Sequence, residues 1–299
     1  MPKLIIFGGS GFVGGNLAVA ANKKGWSVVI ADSLYRPGLQ DVEWRTADIT
    51  DGESVARLMD EVRPDAAVNV AAVADVDKAE RDKELAYRVN VKGARNVAES
   101  CARLGCRYVF FSSDAVFDGK STAGYCEEDA KAPVNYYGQT KSEAEDAVFA
   151  AYPGAVVIRI SLVIGLPVTG GNSFFGNLRT KLEAGTEVLC PVDEVRTPID
   201  VLTLCESVME LAEGGYAGVL HLGAIDSVDR FTLTKKAAET MGFDTNLVKV
   251  QPPKEVPGRA PRHKNGVICV DRARAVLKTK MLPVAEGIRR AIKGDNSDG

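Results

Sequence analysis

Lys3-Leu-Ile-Ile-Phe7-Gly8-Gly9-Ser10-Gly11-Phe12-Val13-Gly14-Gly15 is the stretch that decides the fold. Lys3 to Phe7 reads as a short buried strand, Gly8 to Gly14 as a tight turn, and Gly15 to Lys24 as a helix stopped by Gly25. Gly8, Gly11 and Gly14 stand three apart. Such spacing lets the backbone turn sharply, leaves bare N–H groups where a pyrophosphate can sit at the helix N-terminus, and packs helix close to strand. A second apolar strand, Trp26 to Ala31, ends in Asp32, eighteen residues past Gly14. A carboxylate there can accept hydrogen bonds from the adenosine ribose hydroxyls. Glycine-rich turns are common by themselves; the flanking strand, helix and acid make this one a dinucleotide cradle, with Phe12 and Val13 inside the turn.

Outward from the cradle, strands and helices alternate. Val42 to Thr46 is a strand, Asp51 to Arg63 a helix, and Ala66 to Ala72 a strand rich in small residues where a ligand can pass close. Asp48, with Ile49 beside it, is placed to meet an adenine amino group, while Thr50 or Asp51 caps the following helix. Glu84 to Leu104 carries helical periodicity up to Gly105 and holds two residues unusual in a helix interior, Asn90 and Asn96. Asn90 reads either as a satisfied core amide or as a group tied to the site, and the second is the expectation. Arg107 to Phe111 and Ala155 to Ile160 complete the alternation, which predicts an α/β fold of Rossmann type. Its doubly wound parallel sheet gathers ligands beyond the carboxyl ends of the strands.

Composition narrows the function. At 299 residues, 45% hydrophobic and 26% charged, the chain can bury a sizeable core as one large domain or two unequal lobes. A net charge of −3 offers no whole-chain basic face for nucleic acid or an anionic membrane. No apolar run approaches a membrane span, and the glycine turn begins too early for a signal peptide, so a cytoplasmic protein is expected. Six scattered cysteines without a Cys-x-x-Cys pair read as reduced thiols. With only His221 and His263, no histidine-based metal site is expected.

The chemistry is carried by Asn135-Tyr136-Tyr137-Gly138-Gln139-Thr140-Lys141, which opens a helix running to Tyr152. Tyr137 and Lys141 lie one turn apart on one face. An ammonium close to a phenol favours the phenolate and lowers its pKa, which makes a tyrosine an acid or base near neutral pH. Ser112 and Ser113 stand at the carboxyl end of the fifth strand, the edge where ligands gather.

Gly8-x-x-Gly11-x-x-Gly14, the serine pair and Tyr137-x-x-x-Lys141, in this order, resemble the extended short-chain dehydrogenase/reductase family over nearly the whole chain. Arg63 to Asp65, Val76 to Glu80 and Ser112-Ser113-Asp114-Ala115-Val116-Phe117-Asp118-Gly119 look like its dTDP-4-dehydrorhamnose reductase branch. The resemblance implies an NAD(P)-dependent oxidoreductase acting on a keto or hydroxyl group of a small molecule, a nucleotide sugar. Tyr137 would be the acid, Lys141 the holder of the nicotinamide ribose, and Ser113 a hydrogen-bond donor to the carbonyl oxygen. Ala71, Ala72 and Val73 would join Gly8, Gly11, Phe12, Val13, Gly14, Asp32, Asp48, Ile49, Asn90 and Ser112 around the cofactor. Ala74, Ala115, Val116, Leu162 and Arg196 would line the substrate pocket. The branch usually has threonine, tyrosine and tryptophan where this chain has Ala74, Ala115 and Leu162, which predicts a roomier, less polar pocket. Arg159, Arg196, Arg259, Arg262 and His263 fall in segments able to face the cleft, and Arg196 is the preferred clamp for a nucleotide diphosphate. Asp32 repels a ribose 2′-phosphate and favours NAD, while Arg36 could turn to such a phosphate and admit NADP. The expected layout is a dinucleotide domain over 1–164 and 199–222, a smaller discontinuous C-terminal substrate lobe over 165–198 and 223–293, and a disordered tail at 294–299. A homodimer is implied, without nucleic acid or membrane partners. Two alternatives stand beside the reductase: an epimerase or dehydratase that retains NAD, and a non-catalytic cofactor-binding regulatory subunit.

Overall fold

A computed structural model describes residues 1–36, 38–169, 171–251 and 258–294. From the N-terminus the chain runs β1 (Lys3–Phe7), α1 (Phe12–Lys23), β2 (Ser27–Asp32), β3 (Val42–Thr46), α2 (Gly52–Val62), β4 (Ala66–Asn69), α3 (Val76–Arg81) and α4 (Lys83–Tyr87). A π-helical turn (Arg88–Gly93) leads into α5 (Ala94–Leu104), β5 (Arg107–Ser113), α6 (Tyr136–Ala151), β6 (Val156–Ile160) and β7 (Leu162–Ile164). There follow α7 (Phe174–Glu183), β8 (Val188–Cys190), β9 (Val195–Arg196), β10 (Pro198–Asp200), α8 (Val201–Glu213) and β11 (Gly218–Leu222). The last described elements are β12 (Val228–Asp229), α9 (Arg230–Thr240), β13 (Val248–Val250), β14 (Asn265–Gly266), α10 (Asp271–Val276) and α11 (Val284–Lys293).

Seven strands form the main sheet in the order β11-β6-β5-β4-β1-β2-β3, every neighbouring pair parallel. The chain leaves β1 outward through β2 and β3, then returns to build β4, β5 and β6 on the other side. This reversal opens a crevice between the carboxyl ends of β1 and β4, the ordinary place for a ligand in such a sheet. Leu4, Ile6, Val28 and Ile30 pack on one face with α1 and α8, while Ile5, Phe7, Val29 and Tyr108 pack on the other with α2, α5 and α6. Because both faces are covered, the strands read as continuous apolar runs rather than alternating ones. A third core of Ile164, Phe175, Leu182, Leu233, Val248 and Ile288 packs β7, α7, α9, β13 and α11 together.

Two elements differ from expectation. β4 ends at Asn69 rather than Ala72, because the Asn69 carboxamide oxygen accepts from Ala71 N at 3.0 Å and its nitrogen donates to Tyr108 Oη at 3.2 Å. The predicted helix from Glu84 is broken by the π turn, whose wider ring turns Asn90 inward. Asn96 is accounted for as well: its amide donates to Ile49 O at 2.8 Å and ties α5 to the loop before α2. Of the expected tail, residues 295–299 lie outside the described residues, as do Pro37 in the loop after β2, Gly170, and 252–257 in the proline-rich segment.

Candidate active site

The crevice is a cleft of about 560 Å³. Its floor is the glycine turn, with Gly8, Gly11, Phe12, Val13 and Gly14 all lining it. Gly8 has φ +83°, and a Cβ there would fall 2.6 Å from Ala71 N; a Cβ on Gly14 would fall 2.6 Å from Gly8 O. Neither position admits a side chain, so bare backbone faces the cleft. The N-cap of α1 is Gly11, with no capping side chain and no acid in the first turn, which leaves the helix's first N–H groups free for an anion. Asp32, Asp48, Ile49, Ala71 and Ala72 line the same cleft. Uncapped helix, side-chain-free turn and distal carboxylate together fit a nicotinamide dinucleotide, with its pyrophosphate at α1 and its adenosine toward Asp32.

Asp32 has a second task the sequence did not reveal. One carboxylate oxygen accepts from Ser10 N at 3.0 Å and Ser10 Oγ at 2.7 Å, and the other from Leu34 N at 3.1 Å, so the acid pins the glycine turn. The segment after β7 drapes over this turn as well. Thr169 Oγ1 donates to Ser10 O at 3.2 Å, Asn16 reaches Leu166 O at 3.2 Å, and Asn172 lines the cleft. Asp48 and Asp51 divide the roles weighed for them: Asp51 caps α2 through Ser54 N at 3.0 Å, and Asp48 lines the cleft while accepting from Thr50 N at 2.9 Å.

At the other end of the cleft stand Ser112, Tyr137 and Lys141. Asn135 caps α6 by accepting from Gly138 N at 2.8 Å, and Gly138 lets the helix press on the turn after β5, since a Cβ there would lie 2.1 Å from Ala115 O. This approach sets Tyr137 beside Ser113. Burial pushes the Tyr137 phenol up to about 12; the Ser113 hydrogen bond opposes that rise and the Asp114 charge adds to it. Burial brings the Lys141 ammonium down to about 8 against the pull of Glu145. The expected lowering of the tyrosine pKa by lysine is therefore not what the structure shows. Lys141 Nζ donates to Phe111 O at 2.8 Å and stands 6.0 Å from the Tyr137 ring centre, so desolvation dominates. The phenol holds its proton at neutral pH and can act as an acid.

Several expected ligand residues turn out to support the site from behind. Asn90 is buried; it accepts from Val73 N at 2.8 Å and donates to Thr140 Oγ1 at 2.9 Å, fixing the loop after β4 to α6. Asn90 and Val73 are not among the cleft's lining residues. Ala115 and Val116 are buried, Val116 in a small core with Phe117, Tyr125 and Ile268, and Leu162 packs on the third core. Of the three trimmed positions Ala74 lines the dinucleotide cleft, and Ala115 and Leu162 do not.

The basic residues are also committed. Arg196 spends its guanidinium on Val195 O, Lys264 O and His263 O, with Nε 3.5 Å from Asp114, and is a strut rather than a diphosphate clamp. Arg159 is buried against Glu145 through two hydrogen bonds of 2.9 and 2.7 Å. Arg259 pairs with Glu194 and Arg262 with Asp77. His263 is buried 3.0 Å from Asp114. Asp114 itself accepts from Ser113 Oγ at 3.0 Å and Ser161 Oγ at 2.8 Å; burial would raise its pKa, but His263, Arg196 and Ser161 together lower it. Buried Glu145 also takes the Ser112 hydroxyl at 2.5 Å. Sequence reasoning missed Ser10, Asn172, Glu145 and Asp114 as parts of the site. The only signal for Asp114 was its place directly after the serine pair. Among the described residues no group of three or more His, Cys, Asp or Glu side chains is arranged to hold a metal, and no helix is long and apolar enough to cross a membrane.

A doubly wound sheet with a glycine cradle at its switch point and a Ser-Tyr-Lys group at the cleft's far end defines an oxidoreductase of the extended short-chain dehydrogenase/reductase type. Residues 2–296 match the RmlD substrate binding domain family, and the chain belongs to that family. It is 33% identical over 267 residues to the dTDP-4-dehydrorhamnose reductase of Mycobacterium tuberculosis (strain CDC 1551 / Oshkosh), covering 87% of this chain and 82% of that protein. The corresponding reductase of Mycolicibacterium smegmatis is 31% identical over 303 residues, covering 99% and 88%. The crystal structure of dTDP-4-dehydrorhamnose reductase from Bacillus anthracis str. Ames in complex with NADP superposes with a TM-score of 0.87 at 27% identity, covering 97% of this chain and 99% of that one.

Proposed function

We propose that this protein reduces the 4-keto group of a dTDP-linked 6-deoxyhexose. The observation that carries the reading is the position of Tyr137 and Lys141, one helical turn apart at one end of a dinucleotide cleft whose other end is the glycine turn. A bound reduced nicotinamide supplies hydride. Tyr137 gives its proton to the carbonyl oxygen as negative charge builds there, a step worth typically ~10²–10⁴-fold. Ser113 serves the same oxygen by turning its hydroxyl away from Asp114. Lys141, released from Phe111 O, holds the nicotinamide ribose. The dTDP-sugar class is supported by the named activity of the relatives in M. tuberculosis and M. smegmatis.

For the cofactor we propose a preference for NAD. The Asp32 carboxylate lines the cleft, accepts from a free 2′-hydroxyl and repels a 2′-phosphate. The related B. anthracis structure contains NADP, so both cofactors belong in the test.

That test follows nicotinamide absorbance during incubation with a dTDP-4-keto-6-deoxyhexose, with NADH and NADPH in parallel and Tyr137→Phe as control. The expected result is cofactor consumption, faster with NADH, that falls by at least ~10²-fold in the variant while cofactor binding is kept. A variant that retains most of the activity would sink the assignment of Tyr137. No consumption by an enzyme shown to bind cofactor would move the substrate to another ketone or alcohol.

A further inference from the structure

Cys126 and Cys269 lie far apart in sequence and side by side in the fold. Tyr125 and Ile268 form an isolated parallel bridge: Tyr125 N donates to Val267 O at 3.0 Å and Cys269 N to Tyr125 O at 2.7 Å. Tyr125 and Ile268 both point into the small core with Val116 and Phe117. Side chains alternate along extended backbone, so the next residues on each segment, Cys126 and Cys269, turn to the opposite, outer side. Neighbouring strands run about 4.8 Å apart, inside the Cα separation a disulfide accepts. The two side chains are near enough for Cys126 to raise the Cys269 thiol pKa, Cys126 is exposed, and Cys269 is partly so. Of the other cysteines, Cys101, Cys106, Cys190 and Cys205 are all buried.

From this register we infer that Cys126 and Cys269 are an oxidation site, a dithiol that a hydroperoxide closes to an intramolecular disulfide. Cys126 is attacked first because it is the more open of the two. Its thiolate sulfur bonds to the terminal peroxide oxygen, the O–O bond breaks, and the departing oxygen leaves as an alcohol or water after taking up a proton. The sulfenic acid so formed faces Cys269, whose sulfur displaces the hydroxyl; the new S–S bond forms and water leaves with the Cys269 proton. Two thiols lose two electrons in all, and the peroxide gains them. Cys269 comes second: a backbone hydrogen bond at Asp271 lowers its thiol pKa, but burial and the Asp271 and Cys126 side chains outweigh it and raise the value to about 11, so Cys269 stays a thiol at neutral pH and gives up its proton only as it attacks the neighbouring sulfenic acid.

The site joins two segments that meet at the catalytic edge. One runs from Ser113 and Asp114 to Cys126, and the other carries His263 and Asn265, whose backbone N–H donates to Gly119 O at 3.2 Å and whose side chain donates to Ser121 O at 2.5 Å. A disulfide there would staple the strap carrying His263 and Asn265 to the loop behind the serine pair, and a thiol reductant would release it.

Reduced full-length protein treated with hydrogen peroxide provides the test. Expected are the loss of two titratable thiols per chain, an intact mass lower by two hydrogen atoms, a Cys126–Cys269 peptide in the non-reducing map, and a raised thermal midpoint that dithiothreitol reverses. Cys126→Ser and Cys269→Ser, both surface changes, should each abolish the crosslink and the midpoint shift. A crosslink mapped to Cys101 and Cys106, a disulfide between chains, or oxidation that adds oxygen without joining the two sulfurs would overturn the inference.

Discussion

Tyr137 and Lys141 show how burial sets the protonation of this site. A lysine whose folded pKa is about 8 against an ordinary 10.5 is a buried charge the apo fold holds at a cost. Between those two values the unfolded chain keeps its proton and the folded chain does not, so stability of the apo protein should rise with pH across that window. Lys141→Met should accordingly raise apo stability at pH 7 by about 1–2 kcal/mol, as urea denaturation reads it, while turnover is lost. A less stable variant would show that the hydrogen bond to Phe111 O outweighs the desolvation. Asp114 supplies the second residue-scale prediction. Its charge helps hold the Tyr137 proton, so in Asp114→Asn the phenol should ionise at lower pH. An acid must be protonated to act; the alkaline limb of the reduction's pH profile should therefore move to lower pH in this variant. An unmoved limb would show that the charge does not reach the phenol.

At the scale of elements, the π turn is the part of the fold that serves the site most directly. An uninterrupted α-helix would carry Asn90 past the loop after β4; the extra residue per turn aims it at Val73 and Thr140. Asn90→Leu should leave the buried Val73 N–H unpaired at a cost of about 1–3 kcal/mol. Because residues 71, 72 and 74 line the dinucleotide cleft, cofactor KM should rise more than kcat falls in this variant. A change in kcat alone, measured in steady-state kinetics, would contradict that role. The glycine turn and the N-terminus of α6 act by a different means, close backbone approach at Gly14 and Gly138, where any side chain meets a carbonyl oxygen.

Across the whole molecule, buried charge ties α6 to β5 and β6 at the catalytic edge of the sheet. Glu145 on α6 receives Arg159 from β6 and Ser112 from β5, and Arg159 reaches Glu127 O at 3.1 Å. Breaking such a pair leaves a buried carboxylate whose remaining ion-pair partner is Lys131 Nζ, 3.6 Å away. Arg159→Met should cost about 3–5 kcal/mol in urea denaturation, and adding Glu145→Gln should recover part of the loss. Additive losses in the double variant would mean the two residues act independently.

The parallel sheet, the glycine turn and the four-residue spacing that puts Tyr137 and Lys141 on one helix face were legible in the sequence. Those features are local: a strand, a turn without side chains and a helical spacing of four are written in neighbouring residues. The tertiary structure decided which charged and amide groups face the cleft and which stand behind it. Asn90 and Arg196 read as ligands for cofactor and substrate, and Arg159 and His263 as able to face the cleft, yet each is satisfied by a partner distant in sequence. Whether a polar side chain has hydrogen-bonding capacity left for a ligand depends on what the packed chain brings against it, and linear spacing does not encode that. The same reason holds for Tyr137, whose pKa follows desolvation rather than the nearby lysine.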